Sequence, residues 1–253
     1  MSIELYNNNG HVNISFPDLV KDVASVQSNQ FLIVNDGHAA LIDPGGELTY
    51  NGLYMAVSNY VKIKDLDYVL ASHQDPDIVA SINRWLSATN CKLVCPEIWD
   101  RFIPHFTRPG KMDGRLISVP DQGANIPIGK SIIKAIPAHF MHSEGNFHFY
   151  DPLSKILFSG DMGANINSGD LDTPFSDISE ALPFITGFHE RYMNSNRVCR
   201  YWANMIRTLD VEWMVPQHGR SFKGKKVIGQ FLSWIEQLEC GTDLMTQKDY
   251  RVI

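Results

Sequence analysis

The sequence predicts a single α/β domain across residues 1–253, and three observations carry that prediction. Short apolar runs of strand length alternate with stretches of helical periodicity, the pattern of strands separated by helices. A chain of 253 residues with 44% hydrophobic and 20% charged side chains can fill one substantial core. No internal repeat, low-complexity segment or linker divides it.

The elements follow in order. Phe31–Val34 and Ala39–Ile42 read as two strands joined around Asp36-Gly37, because Asp-Gly adopts the tight hairpin turn. Tyr68–Ala71 is the next strand. Asp75 then reads as a helix N-cap and Pro76 as the first helical residue. Ile78, Ile82, Trp85 and Leu86 recur at i, i+4, i+7 and i+8, which predicts one helix with one apolar face. Further strands are expected at Lys92–Cys95, Ile132–Ile136, Lys155–Phe158 and Val211–Val215. The last helix, Val227–Leu238, carries Ile228, Phe231, Leu232, Trp234 and Ile235 as core packing.

Composition excludes several function classes. The formal charge is −6, and Lys223–Lys226 with Arg220 reads as a short solvated loop, so a nucleic-acid partner is not expected. No apolar run approaches the roughly 18–20 residues that cross a bilayer, so no membrane association is expected. Met1–Gly10 lacks the basic start and apolar stretch of a signal peptide, which makes the cytoplasm the expected location. Cys91, Cys95, Cys199 and Cys240 form no CxxC pair and read as reduced, buried thiols.

Four strand ends carry the chemistry. Tyr68–Ala71 runs into Ser72-His73-Gln74-Asp75-Pro76-Asp77. Ile132–Ile136 leads to His142, Lys155–Phe158 to Ser159-Gly160-Asp161, and Val211–Val215 to Pro216-Gln217-His218-Gly219. Loops beyond strand ends hold ligand groups on a rigid frame. Each residue alone has an ordinary explanation: Asp75 caps a helix, Asp77 favours its N-terminal dipole, Asp161 follows a glycine in a turn. Together, His73, Asp75, Asp77, His142, Asp161 and His218 point to metal.

That order of motifs resembles the metallo-β-lactamase superfamily, whose first motif is usually H-x-H-x-D-H. Leu41-Ile-Asp-Pro-Gly-Gly46 resembles its early Asp-x-Gly turn, which buttresses the metal site. The resemblance runs from about residue 28 to 222 and implies a four-layer αββα sandwich. Within the superfamily the chain is most similar to the di-iron domain of flavodiiron proteins, whose first motif is H-x-E-x-D-H, with Asp75 in the place of the Glu. Met141-His142 through Tyr150, Phe158-Ser159-Gly160-Asp161 and Glu190-Arg191-Tyr192 resemble further segments of that domain, the last bringing a Tyr near the metals. Two features depart from it: Ile78 stands where the motif usually ends in His, and no flavodoxin-like domain follows. The combination resembles the stand-alone oxygen-binding di-iron proteins of bacterial chemotaxis.

The resemblance implies that metal one takes His73, Asp75 and His142, that metal two takes Asp77 and His218, and that Asp161 bridges. Three imidazoles and three carboxylates without a thiolate favour two iron ions over zinc. Two 2+ ions against three carboxylates leave about +1, which a bridging hydroxide or oxo group would cancel. Two ferrous ions supply two electrons, so dioxygen would stop at a diferric-peroxo adduct. No flavin site or Gly-rich phosphate loop is present to supply more. Ile78 is expected to leave an apolar position at metal two for a nonpolar gas. The expected function is therefore reversible dioxygen binding by an oxygen sensor that works with chemotaxis signalling proteins. A dioxygen or nitric oxide reductase fed by an external donor is one alternative. A di-zinc hydrolase of the same fold is another. His139 is read as a support or an alternative ligand and His148 as a strand residue. The oligomeric state is left open.

Overall fold

Strand periodicity sorts the apolar residues into two faces, and the two faces build different layers. The computed structural model describes residues 2–20 and 24–252. Its first sheet follows chain order: β1 (Ile3–Asn8), β2 (His11–Phe16), β3 (Gln30–Asn35), β4 (His38–Ile42), β5 (Leu66–Leu70), β6 (Lys92–Pro96) and β7 (Leu116–Val119). The first four strands are antiparallel neighbours, and β4 to β7 pair in parallel. The second sheet contains β8 (Ala124–Ile128), β9 (Ser131–Pro137), β10 (Phe147–Asp151), β11 (Ile156–Phe158), β12 (Trp213–Val215) and β13 (Phe222–Lys223). Its spatial order is β13-β12-β11-β10-β9-β8, with only β11 and β12 parallel.

Phe31, Ile33, Ala40, Ile42, Leu70 and Val94 face the second sheet and meet Phe147, Phe149 and Phe158 between the layers. Their neighbours Leu32, Leu41, Val69 and Leu93 face the other way, into a core closed by α1 (Glu47–Val57), α2 (Pro76–Val79) and α3 (Ile82–Ala88). A short α4 (Glu97–Asp100) follows β6. The outer face of the second sheet packs against α5 (Ile178–Tyr192), α6 (Asn196–Ile206) and α7 (Lys225–Ile235). The four layers are the αββα sandwich that the motif order implied.

Several expectations hold and several are corrected. The Asp36-Gly37 turn has φ +50° and +83°, the doubly positive geometry of a two-residue hairpin. Ile78, Ile82, Trp85 and Leu86 are all buried, but they lie on two helices: the chain breaks between Val79 and Ile82, where Ser81 Oγ turns to donate to Pro44 O at 2.9 Å. Lys223–Lys226 is not a loop; it ends β13 and begins α7, where Lys226 Nζ pairs with Asp177 Oδ2 at 2.8 Å. The four cysteines are buried free thiols, with Cys199 Sγ and Cys240 Sγ 3.8 Å apart. No helix among the described residues is long and apolar enough to cross a membrane.

Candidate metal centre

β11 and β12 are parallel neighbours in the second sheet and β5 belongs to the first, and the loops that leave their C-terminal ends converge between the two sheets' ends. His73 leaves β5 and Asp75 and Asp77 open α2. Asp161 leaves β11, His218 leaves β12, and His142 comes from the loop between β9 and β10. The structure brings all six of these side chains together. His73, Asp75, His142 and Asp161 each offer a ligand atom within 4.8 Å of the others. Asp77 and His218 complete the far side, with His218 Nε2 3.4 Å from Asp77 Oδ2.

Asp161 stands between the two halves. Its Oδ2 lies 2.8 Å from His142 Nε2 and 3.8 Å from His73 Nε2, while its Oδ1 lies 3.3 Å from His218 Nε2. One carboxylate thus addresses two His/Asp sets with different oxygens. Asp75 Oδ2 is 3.4 Å from His142 Nε2 and 3.8 Å from His73 Nε2. Asp75 occupies the N-cap position of α2, but its side chain caps no backbone amide. The cap alone therefore does not account for it, and its carboxylate turns to the cluster instead.

The electrostatics are those of a cluster built for cations. Burial would raise Asp161, but His218, His142 and His73 outweigh it and hold the carboxyl well below its usual range. Burial opposes charge on His142 and His218 too. Hydrogen bonds that His142 donates to Asp161 and Asp75 nonetheless raise it to about 10, and Asp161, with Asp77 behind it, raises His218 to about 9. His73 is pushed below its ordinary value by burial, so it is neutral at pH 7. Its Nε2 and Asp161 Oδ1 are buried without a hydrogen-bond partner. Two buried lone pairs without a donor are costly in a folded protein. A cation at each removes the cost, so the donor set fits a pair of metal ions.

Supports behind the cluster orient its rings. His218 Nδ1 donates to Gln27 O at 2.6 Å and His73 Nδ1 lies 2.9 Å from Ser72 Oγ, leaving Nε2 of both rings toward the cluster. Asp43, raised to about 7 chiefly by burial, accepts from Ser72 N at 2.9 Å and so ties the end of β4 to the start of the His73 loop. This is the buttress expected of Asp43. In the turn that follows it, Gly45 has φ +83° and a Cβ there would meet Thr49 Oγ1 at 2.1 Å. At Gly219, beside His218, a Cβ would meet Asn165 O at 2.0 Å. Both turns require glycine.

Two expectations change, for Ile78 and His139, and two hold, for Tyr192 and His148. Ile78 does not line the space above the cluster; it is fully buried in the core under α2, because its place on the helix points it at the sheet. The apolar wall is built instead by Val20, Val26, Leu48, Ile166, Phe188 and Tyr192 around a pocket of about 630 Å³. Tyr192 packs against the His142 ring at 5.7 Å and stacks on Phe188 at 4.8 Å, so the Tyr expected near the cluster is there. His139 Nε2 bonds Asp121 O at 2.8 Å, outside the cluster, and His148 lies in β10, where its Nδ1 accepts from Trp202 Nε1 at 3.0 Å. Sequence reasoning missed Gln27, whose contribution is a backbone carbonyl without a residue signature. It also missed His189, a buried ring on α5 that accepts from Gly163 N at 2.9 Å and donates to Ile185 O.

The family model described as ODP family beta lactamase matches residues 26–219. Two structures of the chemotaxis sensor ODP, one a peroxy diiron species and one the apo state from T. denticola, are 36% identical to the chain. Their TM-scores are 0.86 and 0.87, with 99% of each chain covered. A flavo di-iron protein mutant from Thermotoga maritima shares the fold at TM-score 0.76 and 19% identity, covering 93% of this chain and 60% of that one. An uncharacterised protein of Methanocaldococcus jannaschii is 24% identical over 212 residues, 81% of this chain and 52% of its own length. The chain thus spans about half the length of that curated relative.

Proposed function

The chain belongs to the ODP family of β-lactamase-fold proteins, and on that premise we propose that it binds dioxygen reversibly at two iron ions and reports it as a sensor in chemotaxis signalling. His73, Asp75 and His142 would hold one ion, Asp77 and His218 the other, with Asp161 between them. The observation that carries this reading is the split of Asp161, whose two oxygens face two separate His/Asp sets at 2.8 and 3.3 Å. A set of three imidazoles and three carboxylates with no thiolate supports iron over zinc.

Such a pair of ferrous ions, when bound, supplies dioxygen with one electron each. The protein's own part is to bind, orient and shield. Ser72 and the Gln27 carbonyl keep the Nε2 lone pairs of His73 and His218 facing inward. Phe188, Tyr192, Ile166 and Val26 present a largely apolar mouth that suits a nonpolar gas and limits proton delivery. A single domain over residues 1–253 and a cytoplasmic location accompany this reading.

The test is spectroscopic. Protein purified without oxygen and loaded with ferrous iron should hold a pair of irons per chain. It should gain a visible absorption band under dioxygen and lose it on evacuation. Continuous gas consumption with an added donor would favour a reductase instead. The pocket volume of about 630 Å³ is the one feature that favours a hydrolase, since it lies in the range of small-molecule sites. A colourless, zinc-loaded protein would establish that alternative.

A further inference from the structure

Beside His73 lies a second and much smaller cavity. It holds about 30 Å³ and touches His73, Val79, Cys95, Trp99, Phe102 and Phe106. No nitrogen or oxygen atom is exposed to its interior. His73 lines this cavity and not the large pocket. Phe102 and Phe106 stand at the surface, 42% and 38% exposed, while Cys95 and His73 at the inner end are buried.

We propose that this chamber is a binding site for a nonpolar diatomic gas. Size and polarity select the occupant. A single water needs about 10–15 Å³ by the same measure, so 30 Å³ has the size of a two-atom molecule. Water also needs two to four polar partners, and an apolar cavity without them stays dry. A nonpolar gas gives up no hydrogen bonds on entering and gains dispersion contacts with the surrounding carbons and the Cys95 sulfur. Rotamer motions of the rim phenylalanines on the ps–ns scale are enough to admit it. The chamber's capacity for gas is independent of the dioxygen-binding reading above.

Crystals of the metal-free protein under xenon pressure should show xenon between Val79, Cys95 and Phe102. Ordered water in that position, or no xenon there, overturns the site whatever the protein does with iron. Cys95→Met should fill the chamber and abolish the xenon peak, with Val79→Ile as the milder variant, and xenon retained in a folded Cys95→Met protein overturns the placement of the site. Wild-type protein that takes xenon but binds no dioxygen with iron would leave the cavity standing and remove the function.

Discussion

Buried histidine and aspartate meet at both ends of β11, with opposite consequences. At one end, before the strand, Asp151 Oδ2 receives His11 Nε2 at 2.6 Å, Asn13 Nδ2 at 2.7 Å and Ser154 Oγ at 2.5 Å. Its Oδ1 accepts from Leu153 N, and Asn35 Nδ2 lies 3.1 Å from the second nitrogen of His11. The donors outweigh burial and hold Asp151 below its usual range. At the other end, Asp161 faces three imidazoles and two more carboxylates, and buried lone pairs are left over. The residue types are the same and the burial is similar. What separates a structural clasp from a candidate metal centre is whether the carboxylate's own oxygens find donors: both oxygens of Asp151 do, whereas Asp161 Oδ1 and the facing His73 Nε2 are left without a partner.

The strongest way to break this contrast is to neutralise each aspartate. Asp161→Ala should lower the iron content from a pair per chain to trace, measured by metal analysis after dialysis, while the metal-free protein still folds. Retention of both irons would remove the bridging role. Asp151→Ala should do the reverse. Leaving His11 without its buried partner should cost about 3–5 kcal/mol of folding stability in a urea titration, with the iron content of the folded fraction unchanged.

Proton release sharpens the same comparison. His142 and His218 sit at about 10 and about 9, above the ordinary 6.5, so the metal-free site holds both protons at pH 7. Their contribution to metal-free stability is full below 6.5 and fades as pH rises through 9 and 10. A bound cation must expel these protons, so affinity should rise between pH 7 and 9 by about tenfold per pH unit for each proton released. Calorimetry in buffers of different ionisation enthalpy counts the protons, and a count of zero contradicts the protonated cluster. The smallest effect is expected behind the ligands. Ser72→Ala removes the partner of His73 Nδ1 and should weaken metal binding by about tenfold to a hundredfold, with little change in metal-free stability.

Much of this was legible before the fold was known. His73, Asp75, Asp77, His142, Asp161 and His218 were all readable as strand-end residues, since strand and turn signals are local. Ile78 shows the limit: its identity suggested a gas pocket at the second metal, yet its position on α2 buries it in the core. The helix break before Ile82 was hidden as well, because the apolar period continues unbroken across it.

The sequence by itself determined which residues could ligate, the chain order in which they come, and an α/β alternation, while the two sandwiched sheets followed from the resemblance of its motifs to the metallo-β-lactamase superfamily. Tertiary structure alone decided that the oxygens of Asp161 face opposite ways, that α5 brings Phe188 and Tyr192 over the cluster, and that an apolar chamber sits beside His73. The physical reason is range. Strand and helix periods are written within a few neighbouring residues. A gap between loops far apart in sequence exists only once two sheets have packed and set the distance between them.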